Sequence, residues 1–152
     1  MKKTIIWVLI ALVSGALLGK LTFDKYENID LQNVISFNNE VYMLKYGTYS
    51  TVEEMQASVT KVERYVYIEK TGEVSAYVAI SSTNKNINKI KDVYSSKGIT
   101  LSVEKVTINN DAFIQNLNEY EKLLEVAEDE NSLLMIQNQI LSCYEDEVVK
   151  DE

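Results

Sequence analysis

The alternation of apolar and polar positions divides the chain into four stretches. Residues 4–18 form an unbroken apolar run. Residues 24–40 are polar, with apolar residues scattered at Ile29, Leu31, Val34, Ile35 and Phe37. Residues 41–108 switch repeatedly between a period of two and a period near 3.6, the periods of strands and helices. Residues 109–152 carry two apolar stripes at helical spacing.

The middle stretch reads as two copies of one unit. Val41 to Tyr49, rich in tyrosine and β-formers, predicts a strand. Ser50 or Thr51 caps a helix whose inward positions are Val52, Met55, Val59 and Val62. Tyr65 to Glu69 predicts a second strand, Lys70-Thr71-Gly72-Glu73 a tight connection and Val74 to Ile80 a third strand. Ser82 or Thr83 then caps a helix with Ile87, Ile90 and Val93 or Tyr94 inward. Gly98 ends it, and Thr100 to Ile108 is the fourth strand. The order β-α-β-β-α-β predicts an α+β fold of split βαβ, ferredoxin-like type. Two helices would cover one face of a four-stranded antiparallel sheet and leave the other open.

Strand alternation sorts the side chains by face. Tyr42, Leu44, Tyr46, Val66, Ile68, Ala76, Val78, Ile80, Leu101 and Val103 are expected to meet the helices. Met43, Lys45, Tyr65, Tyr67, Ser75, Tyr77, Thr100, Ser102 and Glu104 are expected on the open face. Tyrosine rings among short polar side chains suit stacking and hydrogen bonding, although tyrosine is also simply a good strand residue.

The apolar run changes the picture of location. Lys2 and Lys3 precede it. With Lys20 extending its ammonium toward head groups, Thr4 to Phe23 provides the roughly 20 residues of a membrane span. The positive-inside rule then places the N-terminus in the cytoplasm and the rest outside. A signal peptide cleaved after Ala16 is the rival expectation, and it exports the same domain. The expected organisation is an anchor over 1–23, a connector over 24–40, a domain over 41–108 and an acidic helical hairpin over 109–152.

Composition narrows the chemistry. There is no histidine, so imidazole catalysis and imidazole metal ligation are excluded. The one cysteine, Cys143, permits neither an intrachain disulfide nor a thiolate cage, and it reads as a plain helix residue. Net charge is −8 and uneven: residues 109–152 hold twelve acidic and two basic side chains. Such a tail repels a polyanion, so nucleic acid is not an expected partner. No phosphate loop, metal signature or nucleophile elbow occurs. Neither enzyme activity nor a cofactor is expected.

The strand ending Val41-Tyr42-Met43-Leu44-Lys45-Tyr46-Gly47-Thr48-Tyr49, answered by Ser75-Ala76-Tyr77-Val78-Ala79-Ile80 in the second half, resembles the SPOR domain family of sporulation-related repeats. The resemblance covers about residues 41–108. It implies a bacterial, single-pass envelope protein that binds peptidoglycan glycan strands stripped of their peptides, in cell division or sporulation. It also departs from the family pattern: Lys45 stands where a Gln is common, Thr48-Tyr49 where Ser-Phe is usual, and Ala79 replaces the second Gly. Carried over, it marks Lys45, Thr48, Tyr49 and Tyr77, and together with Tyr65, Tyr67 and Ser75 of the expected open face they make the expected glycan-binding set. The alternative expectation is a protein-interaction scaffold of the envelope that uses the acidic tail.

The tail predicts two helices. Asn109, Asn110 or Asp111 caps the first, with Phe113, Leu117, Tyr120, Leu124 and Ala127 on its stripe. Asp129 or Asn131 starts the second, which runs through Val148 with Leu133, Ile136 or Gln137, Ile140, Leu141 and Tyr144 inward. Glu145-Asp146-Glu147 is expected to be a solvated end. The hairpin could pack on the domain, on itself or on a partner.

Overall fold

The computed structural model of the chain describes residues 39–149. The expected membrane span, the candidate cleavage site and the connector up to residue 38 lie outside the described residues. Among the described residues no helix is long and apolar enough to cross a membrane.

The described part is α+β, with a four-stranded antiparallel sheet and four α-helices. In chain order these are β1 (Glu40–Tyr49), α1 (Val52–Ser58), β2 (Val66–Lys70), β3 (Glu73–Ser81), α2 (Asn84–Ser96), β4 (Ser102–Thr107), α3 (Asp111–Val126) and α4 (Glu130–Tyr144). A π-helical turn, Glu145–Val149, follows. The sheet order is β2-β3-β1-β4, so β2 and β4 are the edges.

Local chemistry explains the element ends. Thr51, Thr83, Asn110 and Asp129 each sit at an N-cap in extended conformation. Each side-chain oxygen accepts the backbone N–H three residues on. Thr71 and Gly72 take positive φ, 49° and 82°, as a two-residue hairpin of the type I′ kind requires. Gly98, φ 74°, closes α2 from the left-handed region.

The hairpin fixes the register of β2 on β3. Lys70 pairs with Glu73, Ile68 with Ser75, Tyr67 with Ala76 and Val66 with Tyr77. Residues directly opposite share a face. Val66 and Ile68 therefore lie with Tyr77 and Ser75, whereas Tyr67 lies with Ala76. This corrects the alternation reading, which had put Val66 and Ile68 on the helix side and Tyr67 beside Tyr77. Between β1 and β3 two register shifts occur, and they compensate. Leu44 pairs with Ala79, Lys45 with Tyr77 and Gly47 with Ala76, so Val78 and Tyr46 are the extra residues.

Helix α1 packs its Met55, with the following Val59, on Val74 and Ala76. The opposite face of the sheet is not open, contrary to expectation. Val41, Met43, Val66, Tyr77 and Ile80 are all buried within the main core cluster. That cluster also holds Ile87, Ile90 and Tyr94 of α2, Phe113, Ile114, Leu117 and Leu124 of α3, and Leu133, Ile140, Leu141 and Tyr144 of α4. The C-terminal hairpin thus joins the sheet in one core. Seven of its apolar side chains, from Phe113 to Leu141, are 0–2 % exposed. At about 1.5–3 kcal/mol each they contribute roughly 10–20 kcal/mol of gross burial, an upper bound. Detaching the whole hairpin would forfeit more than a small domain's entire net stability.

Polar groups fix where the hairpin sits. Strand β2 pairs with β3 only as far as Tyr77, and beyond it α4 takes over. The Gln137 carboxamide, fully buried, accepts the N–H of Ile80 at 2.9 Å and donates to its C=O at 3.1 Å. One side chain thereby does the work of a neighbouring strand residue. In α3, the buried Glu121 accepts from Ser82 N–H (2.8 Å), the Thr83 hydroxyl (3.1 Å) and the Asn86 amide (2.7 Å), at the start of α2. Its negative charge meets the positive end of that helix. Lys89 in turn donates to the carbonyls of Leu124 and Ala127 as α3 ends.

Candidate functional site

The structure divides the seven residues expected to bind glycan into two groups. Lys45, Thr48, Ser75 and Tyr77 come together on the sheet face opposite Val74 and Ala76, around Glu104 of β4. Lys45 Nζ and the Tyr77 hydroxyl both reach Glu104 Oε2 at 3.1 Å. Thr48 Oγ1 and Ser75 Oγ lie 3.2 Å apart. Strand pairing brings them together, since Lys45 is opposite both Tyr77 and Ser102, and Thr48 is opposite Ser75. The hydroxyls and the ion pair form a half-exposed polar ledge. Its one aromatic ring, that of Tyr77, is 4 % exposed.

The ledge is electrostatically settled. Burial raises the Tyr77 hydroxyl, and the neighbouring Glu104 charge raises it further, to about 12. Burial alone would raise the Glu104 carboxyl. Hydrogen bonds from Lys45 and Tyr77, with the Lys45 and Lys70 charges, outweigh that and hold it below its ordinary value. At neutral pH Glu104 is therefore a carboxylate and Tyr77 a neutral phenol. A phenol that titrates near 12 is no general base at neutral pH. The ledge can hydrogen-bond a polar ligand, but it offers no exposed ring for stacking.

The remaining three lie elsewhere. Tyr49 pairs opposite Val74 and packs, with Tyr46 and Tyr65, against the small cluster of Met55, Val59, Val74 and Ala76. Its ring crosses Gly47 so closely that a Cβ there would come within 2.6 Å of the Tyr49 hydroxyl. Gly47 is thus needed for close approach. Tyr67, 42 % exposed, stands on the β2 edge.

Tyr65 and Tyr67 also line a groove of about 870 Å³ that runs around the β2 edge to the end of β4. Val66, Val106, Ile108 and Tyr144 form further parts of its wall, and Val148 and Val149 of the π-helical turn complete it. Arg64, the chain's only arginine, forms an ion pair with Glu145 beside it. Asn110 Nδ2 donates to the Glu147 carbonyl at 2.6 Å. Sequence reasoning passed over Arg64 and Glu121; it placed Glu104 on the expected open face without a role, and it took Glu145 for part of a solvated end, whereas Glu145 pairs with Arg64. The signal for Glu104 was its alternation with Ser102 along the predicted fourth strand, which sets it on the face of Lys45 and Tyr77.

Cys143 is half-buried, with its sulfur 3.7 Å from Asn116 Nδ2, and burial pushes its thiol to about 11. It is a protonated, poorly nucleophilic thiol. Among the described residues no group of three or more acidic or cysteine side chains is placed to hold a metal ion. Compared with family models, with curated proteins and with solved structures, the chain finds no match in any of the three.

Proposed function

We propose that this chain is a non-enzymatic, membrane-anchored envelope protein whose folded part is a protein-interaction module that acts outside the cytoplasm through its acidic C-terminal hairpin. The observation that carries this reading is the closed second face of the sheet. Met43 and Tyr77, expected to be open to a ligand, are buried in the core that the hairpin shares. The hairpin's exposed positions include Glu125, Glu128, Asp129 and Asp146, with Glu119 paired to Lys122. A concentration of one charge sign steers association with a partner of opposite sign and fixes its orientation. The N-terminal lysines and apolar run support the anchor.

Neutralising Glu125, Glu128, Asp129 and Asp146 to Gln or Asn in the full chain leaves the core intact and tests the reading. A fluorescent fusion of that variant is expected to lose its native placement in the envelope. Unchanged placement would overturn the proposal. Deletion of 109–152 is the poorer test, because it removes core residues along with the acidic surface.

The polar ledge favours a second reading, the glycan-binding one that the SPOR resemblance implies. Lys45, Thr48, Ser75 and Glu104 supply donors and acceptors suited to hydroxyl and N-acetyl groups. Co-sedimentation of the full chain with amidase-treated sacculi, lost on Lys45→Ala, would favour it.

A further inference from the structure

The π-helical turn differs from the helices it continues. Tyr144, the last residue of α4, is buried and stacks edge-on against Phe113 with ring centroids 5.4 Å apart. Beyond it, none of the five residues Glu145–Val149 is buried. Three consecutive acids occupy the end of a helical run, where the dipole is negative and disfavours them. π-Helical turns are rare, and those within α-helices occur frequently at functional sites. This turn lines the groove that also holds Tyr65 and Tyr67. Arg64, just before β2, grips its first residue, and both partners of the ion pair are more than a third exposed. Beyond the firm base at Tyr144, Val148 packs only in part against the core, Asn110 holds the Glu147 carbonyl and Arg64 holds Glu145, which together describe a strap.

We propose that Glu145–Val149 is a strap hinged after Tyr144, held by the Asn110–Glu147 hydrogen bond and latched by the Arg64–Glu145 ion pair, and that loss of the ion pair loosens it and opens the groove between the β2 edge and the end of β4. The opening is local, since Phe113, Ile140 and Leu141 keep α4 in the core. An exposed latch of this kind is sensitive to salt and within reach of a competing charged group. The inference concerns the folded chain itself and stands whether or not the acidic surface binds a partner.

Cys143 supplies a native reporter. It lies two residues before the strap, and the Glu147 and Asp146 charges help to raise its pKa. Strap release moves those charges away from the thiol and speeds labelling. The experiment follows reaction of the full chain, purified in mild detergent, with the uncharged reagent 4,4′-dithiodipyridine. Arg64→Gln and Glu145→Gln are each expected to raise the rate about two- to fivefold, the factor by which an exposed ion pair shifts an equilibrium. The double variant should match the singles, because either change breaks the same latch. Added NaCl should speed the wild type toward the variants and leave Arg64→Gln unchanged. Rates equal to wild type in both variants, or effects that add in the double variant, would overturn the proposal. Additive effects would mean general loosening, which far-UV melting curves would show as a lowered Tm.

Discussion

Gln137 shows how much one side chain can settle. Sequence periodicity left its position open, with Ile136 or Gln137 facing inward, and a polar residue is the unexpected choice for a buried site. It is there because β3 outruns β2 and leaves the Ile80 peptide groups needing partners. Gln137→Leu keeps the bulk but strands both groups, and should cost about 2–5 kcal/mol in urea unfolding. A loss under 1 kcal/mol would mean that another group takes over. Tyr77 makes a second prediction at this scale. Its pKa is about 12 when folded against 10 for an ordinary tyrosine, so the folded chain holds the proton longer. Its contribution is complete below pH 10 and is lost as pH rises from about 10 to 12. Tyr94, raised to about 12 by burial and the Glu63 charge, adds to the same slope. Tyr77→Phe should flatten part of the alkaline decline in stability and Tyr77→Phe/Tyr94→Phe most of it; an unaltered decline in the double variant would refute the assignment.

Capping and turn chemistry made most element boundaries legible. Thr51, Thr83, Asn110 and Asp129 are all caps that the sequence offered, and the predicted strands fall within a residue or two of those observed. Face assignment failed in β2 for a reason the sequence did contain. A two-residue loop at Thr71-Gly72 pairs residues of opposite parity across the hairpin, so Val66 must face with Tyr77. The register shifts at Tyr46 and Val78 had no such signal, since neither residue marks a bulge by type. The loop also carries a testable strain. Thr71 is β-branched at φ 49°, a conformation that suits Asn or Gly far better. Thr71→Asn is expected to stabilise the chain by about 0.5–1 kcal/mol in denaturant unfolding; a destabilised variant would show that the Thr71 side chain has a role beyond the turn.

At the scale of the molecule, the hairpin's helices were readable but their docking was not. Amphipathic stripes say that a face will be buried, without naming what buries it. The sheet gave a hint, because Met43 and Tyr77 are too apolar for an open surface, but strand tyrosines are common enough to hide it. Closure of that face turns an expected ligand platform into core and leaves the polar ledge, the groove and the acidic exterior for function. It also implies that the sheet and hairpin gain and lose stability together. Ile140, fully buried in α4, tests this directly through native-state hydrogen exchange. Ile140→Ala should remove about 2–5 kcal/mol. If the two parts form one cooperative unit, amide protection in β1 and β3 falls by the same free energy as in α3 and α4. Protection lost from α3 and α4 alone, with β1 and β3 unchanged, would show the hairpin to be a separable cover over an independently stable sheet, and the account of a closed face would fail.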